Sequence, residues 1–389
     1  MNSTSETRST RAMGRVARTA AAAMLAGCAL LAATATVARA ADLDYGKPGE
    51  AVHLVVGYQP FYTESWSGVV IRGKKLYEKY LPKGSTVDFE VGLQGAIIVN
   101  AMLAGKQHIG YLGDMPAIVS TTKEQVADVR IVASVGLGQD QCNVLLARTD
   151  APAFANAEAG IKWLDGKRLA VPAGSCADRF GQAVLRKHDI KPDSYLNQNI
   201  EVITSNFRAG KIDAAVVWEP TASRLVQEGL ARRVASGVSV GENDGAFLTM
   251  RADLIKARPD VVKAWLNAEL DAELFMADPK NSAEVAGLAA QFATGFQEKV
   301  LWMALYGKQP ESSGGAAVRL SIPFTITPDV ASLIAADTTF LNSMKSINVD
   351  KLRPDAVMPQ FAADILKERG LASPVGRIAG MDEKDYHGK

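Results

Sequence analysis

The step Gly174-Ser175-Cys176-Ala177-Asp178 carries the residue types of a helix start. Unpaired backbone N–H groups and the helix dipole at such a start favour an anion. Ser175 also suits the role of helix cap, and the two roles are compatible. The segment Tyr58-Gln59-Pro60-Phe61-Tyr62-Thr63-Glu64-Ser65-Trp66 concentrates aromatics, which can wall a pocket, around the hydrogen-bonding Gln59 and Thr63. Asp114 and Glu219 each follow a short apolar run and stand near a proline, Pro116 and Pro220. Trp218 precedes Glu219, where it can face a ligand or pack in the core.

Other chemistries lack their residues. The four histidines, at 53, 108, 188 and 387, show no metal-ligand spacing. No nucleophile elbow, phosphate-binding loop or dinucleotide-binding glycine motif occurs. Asp140 and Asp178 lie near Cys142 and Cys176 in sequence, but no histidine is placed as their general base. The sequence therefore points to binding rather than catalysis, without metal or cofactor.

These residues sit at the ends of short strands. His53–Gly57, Val87–Val91 and Ile109–Leu112 read as strands, and 69–81 and 95–104 as the helices between them. Alternation of this kind predicts an α/β fold of βαβ units with a mostly parallel sheet. Ligands of open parallel sheets bind beyond the carboxyl ends of the strands. That rule selects the loops at 58–66, 113–116, 172–176 and 218–220.

The pattern occurs twice. Ala104-Gly105-Lys106 and Ala209-Gly210-Lys211 each end a helix and open a strand that closes on an acid. Residues 138–145 and 241–248 form a second echo. Two lobes of like architecture, joined by two extended crossings, are expected. The expected boundaries are 41–138 and 241–372 for the first lobe, 139–240 for the second, and 373–389 as a loose tail.

The N-terminus reads as a targeting segment. Arg8, Arg11, Arg15 and Arg18 precede an apolar run from Ala20 to Val37, and Ala38-Arg39-Ala40 fits a cleavage site. Residues 1–40 are thus expected to be a secretory signal peptide, with a single membrane anchor as the competing reading. Leu25-Ala26-Gly27-Cys28 resembles a lipobox, so lipid anchoring through Cys28 is a second alternative. Without residues 1–40 the chain keeps 38 basic and 41 acidic residues, a net charge of −3. This is not the basic footprint of a nucleic-acid binder. Cys142 and Cys176 remain, and either a disulfide or two free thiols fits an exported chain.

The signal peptide, the paired Ala-Gly-Lys units, Val217-Trp218-Glu219-Pro220 and Val171-Pro172-Ala173-Gly174-Ser175 resemble the nitrate/sulfonate/taurine class of periplasmic solute-binding proteins. The resemblance spans about residues 50–310. It implies a two-lobe type II periplasmic binding fold that clamps a small ligand and delivers it to an inner-membrane ABC permease with its ATPase. It also implies a periplasmic monomer. By position it brings Gln59, Phe61, Asp114, Gln139, Ser175, Cys176, Trp218 and Glu219 to the pocket. Cys176 replaces the Thr or Ser common in that slot.

Glu64, Asp114, Asp140 and Glu219 crowd the selected loops, and Arg179 is the nearest base. Like charges at ~4 Å repel by about 4 kcal/mol at an effective dielectric of 20, which disfavours a bare oxyanion. A taurine-like zwitterion is expected instead, with its sulfonate on the amides at 174–176 and its ammonium at Asp114 or Glu219. The alternatives are a nitrogen compound such as a thiamine precursor, urea or guanidine, an enzyme of the pyrimidine-synthase kind on the same fold, and a periplasmic sensor subunit.

Overall fold

The computed structural model describes residues 43–388. The expected signal peptide with its cleavage site, and Cys28 of the lipobox-like segment, lie outside these residues.

The first lobe opens with β1 (His53–Tyr58), α1 (Ser67–Lys74), β2 (Thr86–Val91), α2 (Gly95–Leu103), β3 (Ile109–Gly113), α3 (Asp114–Thr121) and β4 (Val129–Gly138). The chain then forms β5 (Val144–Arg148), α4 (Ala157–Trp163), β6 (Arg168–Val171), α5 (Cys176–His188), β7 (Ser194–Asn197), α6 (Ile200–Arg208), β8 (Ala214–Val217), α7 (Thr221–Gln227) and β9 (Ala231–Ser236). It returns through β10 (Asp244–Arg251) to α8 (Ala252–Ala257), α9 (Pro259–Ala277), α10 (Ser282–Phe292) and α11 (Glu298–Leu305). β11 (Val318–Ile322), α12 (Pro328–Ser343), α13 (Gln360–Arg369) and β12 (Gly376–Ala379) complete it.

Two sheets result. One runs β12-β11-β4-β10-β3-β1-β2 and the other β7-β6-β8-β5-β9. The α/β two-lobe architecture is thus as expected, and the internal echo has a structural meaning. The series β2-β1-β3-β10-β4 and β7-β6-β8-β5-β9 pair with the same sequence of directions: parallel, parallel, antiparallel, antiparallel. The sheets are therefore mixed rather than mostly parallel. The crossing strands β5 and β10 enter their sheets antiparallel to the βαβ strands. Both Ala-Gly-Lys turns end helices with glycine in the left-handed region, Gly105 at φ 71° and Gly210 at φ 66°.

Two expectations need correction. The helix read over 69–81 stops at Lys74, because Lys75 adopts a left-handed conformation and a short tight turn follows over Leu76–Lys79. The segment 373–389 is not a loose tail: β12 pairs antiparallel with β11, and the backbone of Met381 bonds to that of Tyr306 and Lys308.

The apolar pattern of α9 buries Trp265, Leu266 and Leu270, and Trp66 and Trp302 are likewise fully covered. This packing holds the strand ends, and hence the loops between the lobes, in fixed positions. Among the described residues no helix is long and apolar enough to cross a membrane.

Candidate functional site

Three helix starts meet at one cleft. α2 begins after Gln94, α3 after Gly113 and α5 after Ser175; α3 follows β3 directly, and short turns separate α2 from β2 and α5 from β6. Neither Gln94 nor Gly113 caps its helix with a side chain. The cleft has a volume of about 240 Å³, the scale of a small solute. Gln59, Gly95, Gly113, Ser175 and Cys176 line it with polar atoms and close backbone. Val99, Pro116, Val119, Pro172 and Trp218 supply apolar walls.

The Gly174 turn is built locally. Gly174 takes φ 72°, which a glycine adopts without strain. Its N–H donates to Asp178 Oδ2 at 2.8 Å, while the Ser175 hydroxyl accepts from the Asp178 N–H and donates to the Pro172 carbonyl at 2.6 Å. The Ser175 hydroxyl is therefore occupied as a cap, which leaves backbone amides as the donors this loop presents to the cleft. Cys176 is disulfide-bonded to Cys142, so its sulfur cannot serve as a thiol donor or nucleophile.

Of the expected residues, Gln59, Ser175, Cys176 and Trp218 come together along the cleft. The buried Gln59 is oriented by its Nε2, which donates to the Tyr111 carbonyl at 3.0 Å. The other four are placed elsewhere. Phe61 packs on Phe296, with ring centres 5.9 Å apart. Gln139 lies half-buried in the first crossing. Asp114 is fully buried behind the cleft, with Oδ1 accepting from the Met115 N–H at 2.7 Å. Burial pushes its carboxyl up to about 6, against the opposing pull of Arg179. Glu219 is also fully buried, 2.6 Å from Arg233 and 3.9 Å from Arg319, and accepts from the Ser223 N–H and hydroxyl. Arg179, the nearest base in sequence, is held by Glu242, the Asn243 carbonyl and Asp337. The ammonium site expected at Asp114 or Glu219 is thus not in the cleft. Among the described residues, no Asp, Glu, Lys, Arg or His lines it.

Sequence reasoning names Tyr62 only as one of the loop's pocket-walling aromatics and misses Gln94, Gly95 and Asn100; all four line the cleft. The strand-end rule would have found the turn after β2 had it been applied to Gly92-Leu93-Gln94-Gly95. Tyr62 is the aromatic of the 58–66 loop that lines the cleft. Its hydroxyl sits between Glu64 and the Gly245 carbonyl, 3.1 Å from the latter. Tyr58 and Trp66 are buried in the core.

A two-lobed α/β frame, two crossings and a small cleft ringed by helix starts are the architecture of a solute-binding protein. Residues 47–290 match the model of the NMT1-like family, more than half of the chain, and the protein belongs to that family. The taurine-binding periplasmic protein of Escherichia coli (strain K12) is 29% identical over 253 residues, which cover 62% of this chain and 74% of that one. The alkanesulfonate-binding protein of Xanthomonas axonopodis pv. citri, solved with MOPS bound, superposes with a TM-score of 0.60 at 20% identity, covering 80% of this chain and 99% of that one. The nitrate-binding protein of Synechocystis PCC 6803 gives a TM-score of 0.61 at 15% identity, covering 88% and 98%. The resemblance read from the Trp-Glu-Pro strand end and the Gly-Ser helix start is borne out: this is a solute-binding protein of the nitrate, sulfonate and taurine type.

Proposed function

We propose that this protein is the periplasmic binding component of an ABC importer and that its cleft captures an organic sulfonate with an uncharged body. One observation carries the reading: three helix starts face a cleft whose lining bears no charged side chain. Helix-start amides stabilise an anion without a counter-cation. Val99, Pro116, Val119 and Trp218 give an attached hydrocarbon a surface to cover. A bare oxyanion leaves that surface wet. An ammonium group finds no carboxylate in the lining, so taurine ranks below simple alkanesulfonates. The taurine- and alkanesulfonate-binding relatives support the sulfonate end of this assignment. Capture proceeds by closure of two lobes around the ligand, which shifts an open–closed equilibrium. An inner-membrane permease with its ATPase then receives the solute.

The test is a thermal-shift and calorimetry panel of alkanesulfonates, MOPS, taurine, the matching carboxylates, nitrate, sulfate, urea, guanidine and thiamine precursors. A ligand at 100 times its Kd adds about 2.7 kcal/mol of stability. Alkanesulfonates are expected to give the largest shifts and their carboxylate analogues smaller ones. A response confined to nitrogen compounds overturns the ligand class, and chemical conversion of any bound compound overturns the binding role.

A further inference from the structure

The family match ends at residue 290, yet the chain beyond it reaches across to the second lobe. α12 belongs to the first lobe: Leu333 and Ile334 pack with Ile98, Met115, Ile118 and Phe247. From that helix Asp337 reaches Arg179 on α5, with Oδ1 2.8 Å from Nε. Arg179 lies one helical turn from the cleft residue Cys176. Asp337 is fully buried, and among the described residues neither of its oxygens has a hydrogen-bond partner, so the ion pair with Arg179 is its polar contact. Burial and the nearby Asp114 push its carboxyl up against the pull of Arg179, which also contacts Glu242 and the Asn243 carbonyl. Two further contacts join the same segment to the second lobe. The Arg224 guanidinium stands 4.4 Å over the Phe296 ring, and the Ser236 hydroxyl donates to the Gly314 carbonyl.

We infer that Asp337 is a positioning residue at the centre of an interlobe latch, through which the C-terminal segment holds α5 against the first lobe before any ligand arrives. The inference takes the cleft between the lobes as the ligand site. The latch acts on the open–closed equilibrium. Apparent affinity scales with the fraction of molecules already closed, so a contact that raises this fraction tightens binding without touching the ligand. The asymmetry of the pair makes it separable. If Asp337 is replaced by Asn, Arg179 keeps Glu242, and the second lobe is not left with an unpaired buried cation.

The experiment needs no ligand, so it stands apart from the sulfonate assignment. Small-angle scattering and amide hydrogen exchange are measured on ligand-free wild type, Asp337→Asn and Arg224→Ala. Asp337→Asn is expected to enlarge the radius of gyration and to speed exchange across residues 176–180 at least tenfold, while the β1–β3 amides stay as protected as in wild type. Arg224→Ala is expected to move both readouts the same way by less. Unchanged scattering and exchange, or a uniform loss of protection over both lobes, overturns the latch. If Asp337→Asn does not fold, Arg224→Ala decides: expansion supports the latch and an unchanged radius refutes it.

Discussion

Cys142, in the first crossing, is bonded to Cys176, the first residue of α5 and part of the cleft wall, with Cα atoms 6.1 Å apart. The bond closes a loop of 34 residues. It joins the polypeptide of the first crossing to the helix start that lines the cleft. The Asp244 carboxylate holds the same crossing by accepting from the Cys142 and Asn143 N–H groups at 2.9 Å. In the chain-entropy account, a cross-link of this span stabilises by about 3–4 kcal/mol. The double variant C142S/C176S is therefore expected to lose about that much unfolding free energy, seen as a lower denaturant midpoint. Its best sulfonate ligand should also bind more weakly, because the start of α5 is no longer tied to the crossing. Urea titrations with and without reductant, alongside calorimetry, check both effects. Equal stability of oxidised and reduced protein would show that the bond constrains little.

Glu219 shows how a residue can look like a ligand contact and be a structural one. It is fully buried between Arg233 and Arg319, and Arg319 also meets Asp140. Burial raises its carboxyl pKa while the two arginines lower it. Removing the charge strands two buried guanidinium groups on fewer partners. Breaking a buried ion network in this way costs about 3–5 kcal/mol. Glu219→Gln is expected to lower the unfolding free energy by that amount, read as a lower urea midpoint with the slope unchanged, which marks lost stability rather than a changed unfolding transition. A variant as stable as wild type that has lost ligand binding would return Glu219 to the cleft.

The parts of the fold set by local sequence were readable, and the parts set by distant partners were not. Gly105 and Gly210 mark helix ends by backbone preference alone, and the repeated strand that follows them revealed two lobes. Ser175 and Cys176 were readable because a helix start follows from short-range capping. Gln94 caps nothing with its side chain, so the start of α2 left no such signature. Whether Asp114 and Glu219 turned toward solute or core depended on Arg179, Arg233 and Arg319. Arg319 lies on a strand far along the chain, and no spacing in the sequence relates it to Glu219. The end of the first predicted helix turned on the left-handed Lys75, a residue type that gives no warning of that conformation. β12 is a four-residue strand and depends on β11 for its pairing, so its sequence alone read as a tail.

A buried carboxyl pair in α9 should set part of the pH dependence of stability. Glu269 and Glu273 are fully buried one turn apart, and the Tyr111 hydroxyl donates to Glu269 while accepting from Trp265 Nε1 at 3.1 Å. Burial pushes the Glu269 carboxyl up to about 7 from an ordinary 4.5, and burial together with Glu269 raises that of Glu273 further. A raised acid pKa means that the folded state holds a proton the unfolded state has released. Between pH 4.5 and 7 the native chain therefore binds more protons at this site, and the site's contribution to stability falls as pH rises. Glu269→Gln keeps a neutral, hydrogen-bonding side chain and removes that titration. Relative to wild type, the variant should gain about 3 kcal/mol between pH 4.5 and 8, whatever its offset at acid pH. Unfolding free energies from urea titrations of both proteins across this range supply the difference, which cancels groups common to both, such as His108 and Asp114. A difference that stays flat with pH would show that Glu269 ionises as easily in the core as in the unfolded chain.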